Sequence, residues 1–197
     1  MKKLSKKWKI FITAMVVLVV GLYGVYKINN RNAFEEMYNS YYNFVPTTAL
    51  YNMPQIEPIP RDNRGADIVN LYYKEKVDNS NIKFTLVALN EVEKVGFSNS
   101  TVIDEGVYLD IGYVYNMNTH ELRNGVSFRG ENVPTVEDDQ KQTKELLEKY
   151  NISKEYLQEK SDKLLSTVLM DWKRYSNSSY SKDNMGRLTI EKDEFLR

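Results

Sequence analysis

The chain has 197 residues, 27 Lys+Arg against 27 Asp+Glu, a single His and no Cys. The zero net charge hides a segregation: six of the cations and none of the acids lie in residues 1–27, which leaves 21 basic against 27 acidic groups, a net of −6, in the rest. An acidic body argues against nucleic acid or anionic lipid as its ligand, and a chain without Cys has no disulfide or thiolate chemistry and no thiol to carry a lipid.

From Ile10 to Tyr26 the sequence runs uncharged and apolar. Seventeen such residues span roughly 26 Å as a helix, the short end of what a bilayer core requires. Lys2, Lys3, Lys6, Lys7 and Lys9 precede the run and only Lys27 and Arg31 follow it closely. The positive-inside rule then keeps the amino end cytoplasmic and places residues after about Asn29 outside, with Trp8 and Tyr26 as interfacial aromatics. A cleaved signal peptide would need small residues at the exit; Leu22 and Tyr23 stand between glycines there, so a single-pass signal-anchor in the cell membrane is expected. The expected division is 1–28, basic tail and anchor, and 29–197, an extracellular domain.

Residues 32–42 place Phe34, Met37, Tyr38 and Tyr41 at i, i+3, i+4 and i+7, a short amphipathic helix packed on the domain. Pro46, Pro54, Pro58 and Pro60 then rule out regular structure, while Phe44, Leu50, Tyr51, Met53 and Ile56 predict a segment lying against a sheet. Alternation with period two begins at Ile68 and gives strands over 68–77 and 83–89, the second apolar on both faces and so expected to be central. Residues 92–97 read as a further strand and 98–106 as a polar loop. The clearest strand is 107–115: Val107, Leu109, Ile111, Tyr113 and Tyr115 face one way, Tyr108, Asp110 and Gly112 the other. After a turn at 116–119, residues 121–129 return with Leu122, Val126 and Phe128, bent near Asn124 and Gly125. Helical period follows. Thr135 and Asp138 suit a capping box for a helix to about Tyr150. Ser153 caps a second helix whose stripe is Leu157, Leu164, Leu165, Val168, Trp172 and Tyr175. Residues 187–191 read as a closing edge strand. The class is α+β: an N-terminal transmembrane helix, then an antiparallel β-sheet domain with helices packed on one face.

No catalytic motif is present. His120 stands in a polar turn with no G-x-S-x-G elbow elsewhere, and no HExxH, P-loop or GxGxxG occurs. Glu137, Asp138 and Asp139 fit a helix first turn, and Asp104-Glu105-Gly106 lacks calcium-loop spacing. No catalytic residue, cofactor, metal or small-molecule substrate is therefore expected. Tyr72 and Tyr108 lie opposite the apolar rows, and with Asp110 they are the candidate partner-binding residues of an acidic, aromatic face. An anchored envelope enzyme with convergent carboxylates, or a structural subunit of an envelope machine, are the competing readings.

Two stretches resemble a known family: N-x-F-x-E-M-Y at residues 32–38, and Asp171-Trp172 followed by Y-S-x-D-N-x-G-x-x-T-I at 180–190. With the Lys-rich anchor they are similar to the TipC family of streptococcal immunity proteins. The resemblance implies a membrane-tethered protein of a Gram-positive cell that binds and occludes a TelC-like toxin. Such toxins leave by type VII secretion in interbacterial competition and degrade the wall precursor lipid II outside the membrane.

Overall fold

The computed structural model describes residues 6–29, 31–42, 68–77, 80–89, 92–130, 140–176 and 178–196; the side chains of Tyr72 and Tyr175 are among those not described. The expectations for the proline-rich crossing at 43–67 and for the acidic helix start at 137–139 lie outside these residues. The chain divides into two units, Met1–Arg31 and Asn32–Arg197. In the first, α1 (Lys6–Asn29) is a 24-residue helix, long and apolar enough to cross a membrane.

The second unit is built on one sheet. Helix α2 (Ala33–Tyr42) precedes strands β1 (Ile68–Val77), β2 (Ser80–Leu89), β3 (Val92–Asp104), β4 (Val107–Asn116) and β5 (Glu121–Gly130). Helices α3 (Gln140–Lys149) and α4 (Lys154–Ser176) follow, then β6 (Thr189–Glu191) and a 3-10 turn at Glu194–Leu196. The sheet order is β1-β2-β3-β4-β5-β6. Five strands form an antiparallel meander, and β6 joins β5 in parallel, Leu122 opposite Ile190. The expected α+β class holds, with that parallel addition at one edge.

Local chemistry explains the boundaries. Asn32 caps α2, its Oδ1 accepting from the N–H groups of Phe34 and Glu35, each at 3.0 Å. Glu35 and Glu36 complement the dipole in the first turn. Asn151, at φ 51°, ends α3 in the left-handed region that Asn tolerates, and Ile152 N–H returns to Leu147 O at 2.9 Å. Ser153 Oγ then accepts from Tyr156 N–H at 3.2 Å and starts α4.

One face of the sheet carries the core. Phe84, Phe97 and Tyr113 stand side by side across β2, β3 and β4, with ring centroids 5.7 and 5.3 Å apart, and Phe34 of α2 stacks on Phe97 and Tyr115. Leu164, Leu165, Val168, Leu169 and Trp172 of α4 complete this cluster. Leu109, Ile111, Val126, Leu147, Leu157 and Leu196 form a second one nearer the chain end. The stripes read from the sequence for α2 and α4 are thus buried at every described position, with Leu169 in addition. The carboxyl-terminal segment closes on the start of the domain: Ala33 N–H donates to Met185 O at 2.9 Å, and Asn32 Nδ2 to Arg187 O at 3.3 Å.

Three expectations are corrected. Residues 98–106 are largely strand, because β3 runs on to Asp104. Its polar residues satisfy both faces: Ser98 and Ser100 point to the open side, while buried Asn99 donates to Ser80 O at 3.1 Å. Strand β5 pairs with β4 residue for residue through Asn124 and Gly125, so no bulge bends it there. Strand β2 lies second from the edge; Ile82, Phe84 and Leu86 are buried, whereas Lys83 is exposed and Thr85 and Val87 are half-buried.

The buried tyrosines set an alkaline limit. Burial pushes the hydroxyls of Tyr38, Tyr113 and Tyr115 well above their ordinary value of 10; for Tyr38 and Tyr115 the carboxylates of Glu93 and Glu35, to which they donate, push the same way. The folded state therefore holds these protons more tightly than the unfolded chain. Their contribution is complete below about pH 10 and is lost as pH rises toward the folded values. Thermal melts between pH 8 and 11.5 are expected to be level up to about pH 10 and to fall above it; equal midpoints at pH 9 and 11 would contradict this.

Candidate binding face

The second face of the sheet carries no packed helix among the described residues. It forms a trough of about 1260 Å³ whose floor comes from β2 to β5 and whose far wall comes from residues 191–194. Strand register dictates what shares this face, since paired residues point the same way and alternate along each strand. Lys83, Ser98, Gly112 and Gly125 form one row, and the backbone of Tyr72 extends it on β1. Ser100, Asp110 and Ser127 form the next, and Val102, Tyr108 and Arg129 the one beyond. On the other side Thr85, Gly96, Val114, Arg123 and Glu191 make a fourth. Glycine and serine keep the floor low. Gly112 is forced: a Cβ there would sit 3.0 Å from Phe97 O and 3.0 Å from Ser98 Cβ.

The polar groups are held in place. Arg129 Nε donates to Asp110 Oδ2 at 3.0 Å and its Nη2 to Ser100 Oγ at 3.3 Å; Ser100 Oγ also donates to Asp110 Oδ1. The Arg129 guanidinium lies over the Tyr108 ring, 4.7 Å from its centroid. The Asp110 carboxylate raises the Arg129 pKa further above its ordinary value. Arg123 bridges Glu121 at 3.2 Å and Glu191 at 3.0 Å. Lys83 has no ion-pair partner among the described residues. These are solvent-facing pairs worth little to stability. Together they set charges of both signs side by side on this face.

Of the residues singled out from the sequence, Tyr108 and Asp110 come together in the trough, on adjacent rows and joined through Arg129. Tyr72 shares the face by backbone position only, because its side chain is not described. The face is of mixed sign and Tyr108 is its one aromatic among the described lining residues, which differs from the acidic, aromatic surface expected. The other tyrosines of β4, Tyr113 and Tyr115, are in the core. Arg129, Ser100, Arg123 and Lys83 were not singled out. Strict alternation would have exposed Lys83, Arg123 and Arg129, since each is a charged residue opposite an apolar row.

His120 lies outside the trough, at φ 57° in the β4–β5 turn. Its Nδ1 is 2.9 Å from Glu35 Oε1 and 3.0 Å from the Tyr115 hydroxyl, which accepts from Asn32 Nδ2 at 2.7 Å. His120 is thus a solvent-facing turn residue, with the Glu35 carboxylate on its imidazole. The arrangement joins the cap of α2 to the turn and to the carboxyl-terminal segment. Among the described residues no three His, Asp or Glu side chains gather in a metal-binding group.

Comparison with known proteins agrees with the fold. No curated protein is similar enough to count as a relative. The solved structure of TipC2 from Streptococcus intermedius B196 superposes with a TM-score of 0.68 at 21% identity, covering 82% of this chain and 95% of that one. A family model described as TipC immunity protein-like matches residues 6–193. That match spans the apolar N-terminal helix, the sheet and the closing strand alike, and the chain belongs to the TipC immunity protein-like family.

Proposed function

We propose that the protein protects its own cell by holding an exported toxin against the open face of its sheet, covering the toxin's active site. In this reading α1 is a single-pass anchor with its amino end in the cytoplasm, and residues 29–197 work outside the membrane as the binding domain. The toxin class is the one the family resemblance implies, a TelC-like enzyme that degrades lipid II after type VII secretion. No catalysis by the immunity protein is involved.

The observation that carries the reading is the trough itself. A β-sheet with one face on the core leaves the other to solvent, and such faces are commonly polar throughout. Here the face is walled on one side, its floor is kept low by glycine and serine, and the guanidiniums of Arg123 and Arg129 are paired with carboxylates. Binding energy at such a surface concentrates in a few ordered aromatic and Arg groups, which Tyr108 and Arg129 supply.

Binding of the purified full-length protein to a TelC-like toxin tests the reading. Tyr108→Ala removes the ring under Arg129, and Asp110→Lys reverses the charge that fixes it. Each is expected to weaken the complex about tenfold or more, roughly 1.4 kcal/mol. His120→Ala, outside the trough, is expected to leave affinity unchanged. Raising the salt should slow association, since exposed charges are screened beyond about 8 Å at physiological ionic strength. Full affinity in both trough variants would mean that the toxin binds elsewhere.

A further inference from the structure

The end of the sheet where the domain begins carries exposed aliphatic side chains. Leu89 and Val92 are direct partners across β2 and β3 and are 39% and 40% exposed; Ile68, paired with Val87, is 52% exposed. Alternation places all four on the open face. The β4–β5 turn reaches the same end, with Met117 N–H donating to Glu93 O at 2.9 Å.

Asn32 is fixed at this end too. It is fully buried, and its Nδ2 donates to the hydroxyl of Tyr115, the residue before the last of β4. Further along α2, Tyr38 donates to Glu93 at 3.0 Å. Only Asn30 and Arg31 separate Asn32 from Asn29, the last residue of α1. That link reaches about 10 Å at most.

We propose that this end of the sheet docks on the bilayer that holds α1, with Ile68, Leu89 and Val92 entering the boundary between head groups and acyl chains. The proposal rests on α1 spanning the membrane. Three aliphatic side chains are a weak membrane ligand for a free protein. For a tethered one the encounter is intramolecular, at an effective concentration on the order of millimolar for a short link, so weak contacts suffice. Arg31 in the link is an exposed cation suited to lipid phosphates.

The absence of Cys makes the test clean. Val92→Cys and Val102→Cys each introduce one thiol at an exposed position, the first at the proposed lipid contact and the second in the row of Tyr108 and Arg129. Each full-length variant, carrying an environment-sensitive fluorophore on that thiol, is reconstituted into vesicles of phosphatidylcholine and phosphatidylglycerol. The probe at position 92 is expected to shift to the blue and to be quenched by lipids with a shallow acyl nitroxide about threefold more than the probe at 102. Equal quenching at the two positions, in protein that floats with the vesicles, overturns the docking and leaves the anchor standing. Protein that fails to float with them overturns the anchor, and the docking with it. A blue shift at 92 that fades as protein is diluted in excess lipid assigns the patch to a second copy of the chain and overturns the lipid contact.

Discussion

A Gly125→Trp protein is expected to fold like the parent and to lose its toxin. Gly125 lies on the floor of the trough in β5, and a Cβ built there meets no heavy atom within 4 Å. Its backbone needs no conformation peculiar to glycine, so the substitution costs the fold little. An indole in that position stands where the partner has to sit. Affinity is expected to fall at least about 100-fold, near 3 kcal/mol, with a thermal midpoint close to that of the parent. Gly112 gives the contrast, because even one methyl group there presses on Phe97 O and Ser98 Cβ. Gly112→Ala is expected to lower the melting point, so a loss of binding in that variant would be ambiguous in a way that Gly125→Trp is not. Unchanged affinity in a folded Gly125→Trp protein would refute binding on the open face.

Trp172→Ala is expected to have the largest effect on stability. The side chain is 1% exposed in the cluster of α4, α2 and the sheet, and its Nε1 donates to Glu36 Oε2 at 3.1 Å. Truncation removes the largest fully buried side chain described, leaves a cavity between two helices, and takes from Glu36 its donor. A cost of about 3–5 kcal/mol is a large share of the stability of a domain that has no disulfide to restrain its unfolded chain. Circular dichroism should show either an unfolded domain or a sharply lowered midpoint at 37 °C. Trp172→Phe keeps most of the ring and loses only the hydrogen bond, and it should fall well short of that loss. A midpoint in Trp172→Ala equal to that of the parent would place the residue outside the core.

The stripes of α2 and α4 were legible because each buries one side and leaves the other wet, and the same is true of β4. Strand β3 was half-missed for the converse reason. From Ser98 its next two open-face residues are Ser98 and Ser100, and between them the core-face Asn99 buries an amide that another strand satisfies. Polarity therefore stops alternating while the strand continues. The parallel sense of β6 depends on the path through α3 and α4, which periodicity does not record. At the site, the facing rule separated Tyr108 and Asp110 from the core row of β4. That Arg129 joins them follows from register, Tyr108 opposite Arg129 and Asp110 opposite Ser127, and register is a property of two strands at once. For the same reason the charge of the whole domain, −6, was a poor guide to one face, where Lys83, Arg123 and Arg129 gather.

The seam between Asn32–Ala33 and Met185–Arg187 governs when a newly made domain can close. Asn32 and Arg187 are 155 residues apart in sequence. At ribosomal rates of about 5–20 residues per second, roughly 8–30 s pass between the synthesis of one side and that of the other. Through that interval α2, ten residues long and hardly able to persist alone in water, can meet the sheet through Phe34 and Tyr115 but lacks the backbone partner at Met185. The meander can pair strand by strand as it emerges, whereas the bond from Ala33 N–H to Met185 O closes only once residues 185–187 have been made. A polypeptide released short of Met185 leaves its opening segment unlatched, and quality control has in that loose helix an early mark of an incomplete product.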